Sequence, residues 1–272
     1  MNDETHDFTM AYQDSCDGPT LLLIHGFPLD SALWELQFQD LNDVARLIAP
    51  DLRGHGRSEG VPGPYSMAIF ADDLAGLLDH LGIDRPVIVC GLSMGGYIAF
   101  EFYRRFPERV AGLILTATRA AADSEEGRAN RDKAAETVRA QGVTPIVEGM
   151  LPKLMAPASY EDEELVDYVK DMMMGASVEG MVGALQAMKE RPDSTPTLAE
   201  IEVPILIIHG AEDQIIPLAE AEAMHDAIPH SRLVVIPDAG HLPNLEQPDE
   251  FNDAVLDFIE SLFKDEEDHH HG

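Results

Sequence analysis

The chain reads as an α/β protein built on a mostly parallel sheet with helices on both faces, and three observations lead there. Short apolar runs alternate with helical patterns along most of the 272 residues. The runs are continuously apolar, as strands covered on both faces require. One of them, Val87-Ile88-Val89-Cys90, passes almost at once into a helical pattern over 94–106, so Ser93 lies in a sharp strand-to-helix turn. Hydrophobic residues make up 45% of the chain, enough to bury a full core, and the length suits one large domain or a domain carrying an insertion.

In chain order, the first core strand is expected over 21–24, ending in His25-Gly26-Phe27-Pro28, with a helix opening near Ser31 and carrying Trp34. A second strand over 45–50 leads into the glycine-rich loop DLRGHGRS, residues 51–58. Ser66 is a helix N-cap; Ile69, Leu74, Leu77, Leu78 and Leu81 recur at helical spacing until Gly82 stops the helix. After the strand and helix around Ser93, a further strand is expected over 112–117. The alternation then breaks. Over 121–196 only helical segments are legible, punctuated at Ser124, Gly142, Pro157, Ser159, Ser177 and Pro192, which predicts a helical insertion. The strand and helix rhythm resumes with a strand over 204–209, a helix over 218–228, a strand over 233–236 and a last helix over 248–263. The tail KDEEDHHHG is charged and expected to be disordered, and its histidines are set apart from the chemistry.

Charge excludes some partners. Eighteen basic against 50 acidic residues give a formal charge of −32, a surface that repels nucleic acid and anionic membranes and favours neutral or cationic substrates over anionic ones. The excess acid also suggests adaptation to high salt, where screening relieves self-repulsion. No apolar run is long enough to span a bilayer, and the first residues, MNDETHDFTM, are acidic where a signal peptide is basic, so a soluble cytoplasmic protein is expected. Cys16 and Cys90 have no evident disulfide partner, and neither looks catalytic.

The chemistry centres on Gly91-Leu92-Ser93-Met94-Gly95. A turn this tight needs small residues two positions before and after the serine, which Gly91 and Gly95 supply. It lifts the Ser93 hydroxyl clear of the sheet and aims the Met94 N–H, at a helix start, toward any oxyanion formed there. A serine hydroxyl needs a base oriented by a carboxylate. Of 11 histidines, His241 is best placed, in the loop between the last strand and the last helix, because such loops converge at the carboxyl edge of a parallel sheet. Asp213, just after the strand ending at His209, is the preferred acid, with Glu212 and Asp238 as competitors; Leu115, Thr116, Ala117 and Thr118 on the preceding strand carry no carboxylate. The Phe27 N–H is placed to be the second oxyanion donor. His25, His55 and Arg53 read as loop braces. No H-E-x-x-H or paired-cysteine pattern suggests a metal.

Together, HGFP, DLRGHGRS, GLSMGG, GAEDQIIP and AGHLPNLEQP resemble the successive signatures of the α/β-hydrolase superfamily, over nearly the whole chain except the insertion. The resemblance implies a core domain of 1–120 and 196–264, a helical cap of 121–195 and a tail of 265–272. GLSMGG and the stretch from Gly63 to Ile83 are similar to carboxylesterases and 3-oxoadipate enol-lactonases, which need no cofactor; serine at the elbow departs from the aspartate of dehalogenases and epoxide hydrolases. The expected activity is hydrolysis of small carboxylic esters through an acyl-enzyme on Ser93. A lactonase, a carbon–carbon bond hydrolase or perhydrolase, and a ligand receptor without turnover are the alternatives. Methionines at 150, 155, 172, 173, 174, 181 and 188 would either fill helix contacts, the favoured reading, or line an acyl pocket.

Overall fold

The structure is a computed structural model that describes residues 2–3, 8–15 and 17–269. The expectations for Cys16 and for 270–272 fall outside these residues. Eight strands lie in one sheet: β1 (Asn2–Asp3), β2 (Met10–Asp14), β3 (Thr20–Ile24), β4 (Arg46–Pro50), β5 (Val87–Leu92), β6 (Val110–Thr116), β7 (Ile205–Gly210) and β8 (Ser231–Ile236). Their order is β1-β2-β4-β3-β5-β6-β7-β8. The first two run antiparallel at one edge and all pairs from β4 to β8 are parallel, so the expected α/β architecture is found. Leu21 to Ile24 of β3, all of β5 and β7, and nearly all of β6 are buried. Sheathed in this way on both faces, each Leu, Ile or Val contributes about 1.5–3 kcal/mol. The strand β2 was not anticipated from sequence. It offers only Met10, Ala11 and Tyr12 as apolar residues, and its partner across the sheet, Tyr12 opposite Pro50, is distant in the chain.

The helices cover both faces. A 3-10 turn, Ser31–Trp34, is capped by the Asp30 carboxylate and leads into α1 (Glu35–Leu41). Ser66 caps α2 (Met67–His80) by accepting from the Ile69 N–H, and Gly82, at φ 65°, follows its end. The elbow opens α3 (Met94–Arg105). Between β6 and β7 lie α4 (Glu125–Gln141), α5 (Thr144–Leu154), α6 (Glu163–Met174) and α7 (Val178–Glu190), with no strand among the described residues. Ser124 and Ser177 cap α4 and α7, whereas Asp162, not Ser159, caps α6. The remaining helices are α8 (Thr195–Leu198), α9 (Leu218–Ala227), α10 (Pro243–Glu246) and α11 (Pro248–His269). This last helix runs past the end expected at 263: no glycine or proline interrupts 264–269, so nothing in the backbone stops it there.

Candidate active site

Ser93 sits at the carboxyl end of β5 with φ 56° and ψ −112°, a left-handed conformation that is strained for a residue with a side chain. The surroundings hold it there. Its N–H donates to the Thr116 carbonyl at 2.9 Å, and its carbonyl accepts from the Gly96 N–H at 2.9 Å and from the Thr118 hydroxyl at 2.8 Å. A Cβ on Gly91 would collide with the Gly95 carbonyl, and one on Gly95 with the Ile24 carbonyl, so both glycines are dictated by backbone approach. Gly26, at the end of β3, is equally close: a Cβ there would come within 3.2 Å of the Ser93 Cβ. Phe27 therefore follows directly beside the elbow. As the first residue of α3, Met94 has an N–H without an intrahelical acceptor.

Two strands away, the loop after β7 carries Asp213 and the loop after β8 carries His241. Asp213 Oδ2 lies 2.7 Å from His241 Nδ1, and both side chains are buried. Asp213 Oδ1 accepts from the Ile215 and Ile216 N–H groups at 2.8 and 2.9 Å, which fixes the carboxylate plane. Burial alone would raise its pKa, but His241, the Ile216 N–H and His209 together hold it below the usual carboxylate value. The competitors Glu212 and Asp238 are exposed and do not reach His241. His241 Nε2 is buried and makes no hydrogen bond with a described residue, the nitrogen a general base must keep for its substrate.

Two further residues, not foreseen from sequence, hold these loops. Glu246 accepts from the N–H groups of Gly240, Leu242 and Ala156 at 2.9, 3.1 and 2.7 Å, clamping His241 from both sides and tying it to the insertion. The His241 N–H itself donates to Leu154 at 3.0 Å. Thr118 braces the Ser93 carbonyl. Glu246 stands inside the AGHLPNLEQP stretch and was the one of the two with a local signal.

Of the other histidines, His25 and His55 brace loops. His25 donates from Nδ1 to the Gly26 carbonyl and accepts at Nε2 from the Leu52 N–H, each at 2.9 Å; burial lowers its pKa and keeps it neutral. His55 lies against His25 and Phe27, and burial pushes its pKa down to about 3. Arg53 forks onto Asp73 with two contacts of 2.6 Å and stacks on Phe8 and Tyr65. Bracing describes all three. Among the described residues no group of three or more His, Cys, Asp or Glu is arranged to hold a metal ion, and no helix is long and apolar enough to cross a membrane.

The insertion meets the sheet edge that carries these loops. A cavity of about 300 Å³ is walled by Phe27, by Arg119 and Asp123 at the start of the insertion, and by α4, α5 and α7. Of the methionines, Met155, Met172, Met173, Met181 and Met188 are buried in helix contacts, Met174 is exposed, and only Met150 lines this cavity.

Sheet order, elbow and loop positions define a serine-elbow member of the α/β hydrolases, and the comparisons agree. A family model described as alpha/beta hydrolase fold matches residues 19–248, and the chain belongs to that family. It is 35% identical to 3-oxoadipate enol-lactonase 2 of Acinetobacter baylyi over 240 residues, 88% of either chain. Among solved structures, a thermophilic esterase from Thermogutta terrifontis, described as malate bound, superposes with a TM-score of 0.92 at 44% identity over 94% of both chains. The enol-lactonase of Burkholderia xenovorans superposes with a TM-score of 0.88 at 28% identity, over 95% of this chain and 99% of that one.

Proposed function

We propose that this hydrolase cleaves small carboxylic esters through an acyl-enzyme on Ser93, with residues 121–195 as a cap over the site. The observation that carries the reading is the His241–Asp213 pair: Nδ1 is spent on the carboxylate, and Nε2 is left unpartnered at the sheet edge where Ser93 stands on its strained turn. In this mechanism the Ser93 Oγ attacks the ester carbonyl as His241 Nε2 takes its proton. Asp213 holds the ring in the correct tautomer and stabilises the imidazolium. The N–H groups of Phe27 and Met94 bind the tetrahedral oxyanion, a contribution of about 3–4 kcal/mol per donor in such sites. His241 then protonates the leaving alcohol, and a water deprotonated by the same nitrogen releases the acid.

The test is turnover of a 4-nitrophenyl ester series of increasing acyl length by the native chain and by Ser93→Ala. The expected result is measurable hydrolysis that the substitution abolishes; equal turnover by both chains would reject Ser93 as nucleophile. A second reading, lactone hydrolysis with the same residues, is favoured by the enol-lactonase relatives. Comparing turnover of lactones and linear esters separates the two.

A further inference from the structure

Strand β7 runs Ile205, Leu206, Ile207, Ile208 and then His209, all of them buried. Packing asks for one more aliphatic residue at its end, and the chain supplies a polar ring instead. Burying such a ring is costly unless its hydrogen bonds are met. This one meets half of them: Nε2 lies 2.9 Å from the Ile216 carbonyl, whereas Nδ1 is buried with no hydrogen-bond partner among the described residues. A carbonyl only accepts, so the hydrogen is on Nε2 and Nδ1 is bare. Burial lowers the pKa of the ring, which the charges of Asp213 and of Glu220 on α9 oppose without overcoming, and the ring is neutral.

The contacts of His209 close a circuit around the acid. The ring donates to the Ile216 carbonyl; the Ile216 N–H donates to Asp213 Oδ1 at 2.9 Å; and Asp213 Oδ2 lies 3.4 Å from the same Nε2. His209 therefore pins the residue that fixes the carboxylate and also turns its N–H edge toward the second oxygen. That oxygen is the one His241 Nδ1 meets at 2.7 Å, so it stands between two imidazoles. The next residue, Gly210, has no room for a Cβ against the Gly240 carbonyl, and the strand end that carries His209 abuts the His241 loop directly.

On the basis of the serine-hydrolase reading above, we propose that His209 is a positioning residue, a second histidine behind the acid that keeps Asp213 Oδ2 aimed at His241 Nδ1. It touches no substrate and moves no proton, because its one hydrogen is committed to a carbonyl. A neutral N–H edge suits this place. It steadies the carboxylate without cancelling the negative charge that the His241 imidazolium needs, which a lysine or arginine there would do.

The experiment uses substitutions that separate donor from volume. His209→Gln puts an amide nitrogen near the Nε2 position, His209→Asn puts one near Nδ1, and His209→Leu fills the space with no donor. For 4-nitrophenyl butyrate, kcat is expected to fall about tenfold or more in the Asn and Leu variants with KM within about twofold of native, while His209→Gln retains most of the native rate. If the ring only filled space, Leu would match native and Gln would be the poorer, so a native rate in His209→Leu overturns the proposal, as does a fall carried by KM. If His209→Leu fails to fold, the two amides supply the answer, and equal rates in them refute the role. A second readout needs no turnover: the downfield proton NMR signal of the His241 Nδ1–H, which reports its bond to Asp213. It is expected in the native chain and in His209→Gln, and displaced upfield or lost to exchange in His209→Asn. Should the native chain hydrolyse no ester, the serine-esterase reading fails and this signal decides the positioning role separately. Displacement in His209→Asn but not in His209→Gln sustains it; a native chain without the signal, or a signal that both variants leave in place or both displace, refutes it.

Discussion

Asp213 and Asp123 are both buried carboxylates just past a strand end, with side chains 0% and 1% exposed, yet they are partnered oppositely. Asp213 has two histidines and two backbone N–H groups; Asp123 has three arginines. In both, burial alone would raise the pKa and the partners reverse that effect. The difference is in what the partners do next. Histidine exchanges its proton near neutral pH, so the Asp213 loop can hold a base that cycles between states. Arginine never gives up its charge. Asp123 therefore anchors a cluster of permanent charges at the start of the insertion, one that holds structure rather than moves protons.

The largest effect expected from this comparison is on turnover. Asp213→Asn should cut kcat for ester hydrolysis by about 10⁴-fold, as loss of the orienting carboxylate does in triads; a variant retaining a tenth of native activity would mean that another group orients His241. Asp123→Asn should act on stability instead. Three guanidinium groups would lose their only shared carboxylate, a cost of about 3–5 kcal/mol in urea unfolding, and an unfolding midpoint equal to the native one would show that the cluster is held by Arg191 stacking alone.

A pH titration of stability sharpens the contrast. His55 has its folded pKa lowered from 6.5 to about 3, so between those values the unfolded chain binds the extra proton and stability is lost as pH falls, by at most about 1.4 kcal/mol per unit. Replacing His55 with Gln should flatten the decline between pH 6.5 and 4. Asp213 and Asp123, both held below the ordinary 3.8, contribute stability that is present above that value and disappears only at still lower pH.

Asp30 runs the other way. Burial and the nearby Asp51 charge raise it to about 6, so between 3.8 and 6 the folded state holds the extra proton and neutral pH is the unfavourable side. Asp30→Asn keeps an oxygen for the Ala32 N–H and should stabilise the chain at pH 7.5 by about 1 kcal/mol, discounted for partial exposure. Smallest is the effect of salt. With a charge of −32, the melting temperature should rise by about a few degrees between dilute buffer and 1 M sodium chloride; a flat or falling trend would remove salt adaptation from consideration.

The two regions also differ in how far sequence reveals them. The elbow was legible because Gly91, Ser93 and Gly95 lie within five residues, between a buried strand and an amphipathic helix, and the turn leaves few other side chains possible. The nearness of Asp213 to His241 was legible from strand order, since loops after neighbouring parallel strands meet. The arginine cluster was not. Arg119, Arg131 and Arg191 are spread over 73 positions of the chain, with no spacing that distinguishes them from solvated charges; only the packing of α4 and α7 brings them to Asp123. The same holds for Thr118, which acts across β6, and for β2, whose pairing with β4 is long-range. Helix caps at Ser66, Ser124 and Ser177 were readable, being local hydrogen bonds.

The most direct test of the account is covalent trapping. Incubation with a fluorophosphonate, followed by peptide mass spectrometry, should place one adduct on Ser93, formed much more slowly in Asp213→Asn and absent in Ser93→Ala. An adduct on another residue, or a native chain that stays unlabelled while folded, would contradict a nucleophile at the elbow activated by His241.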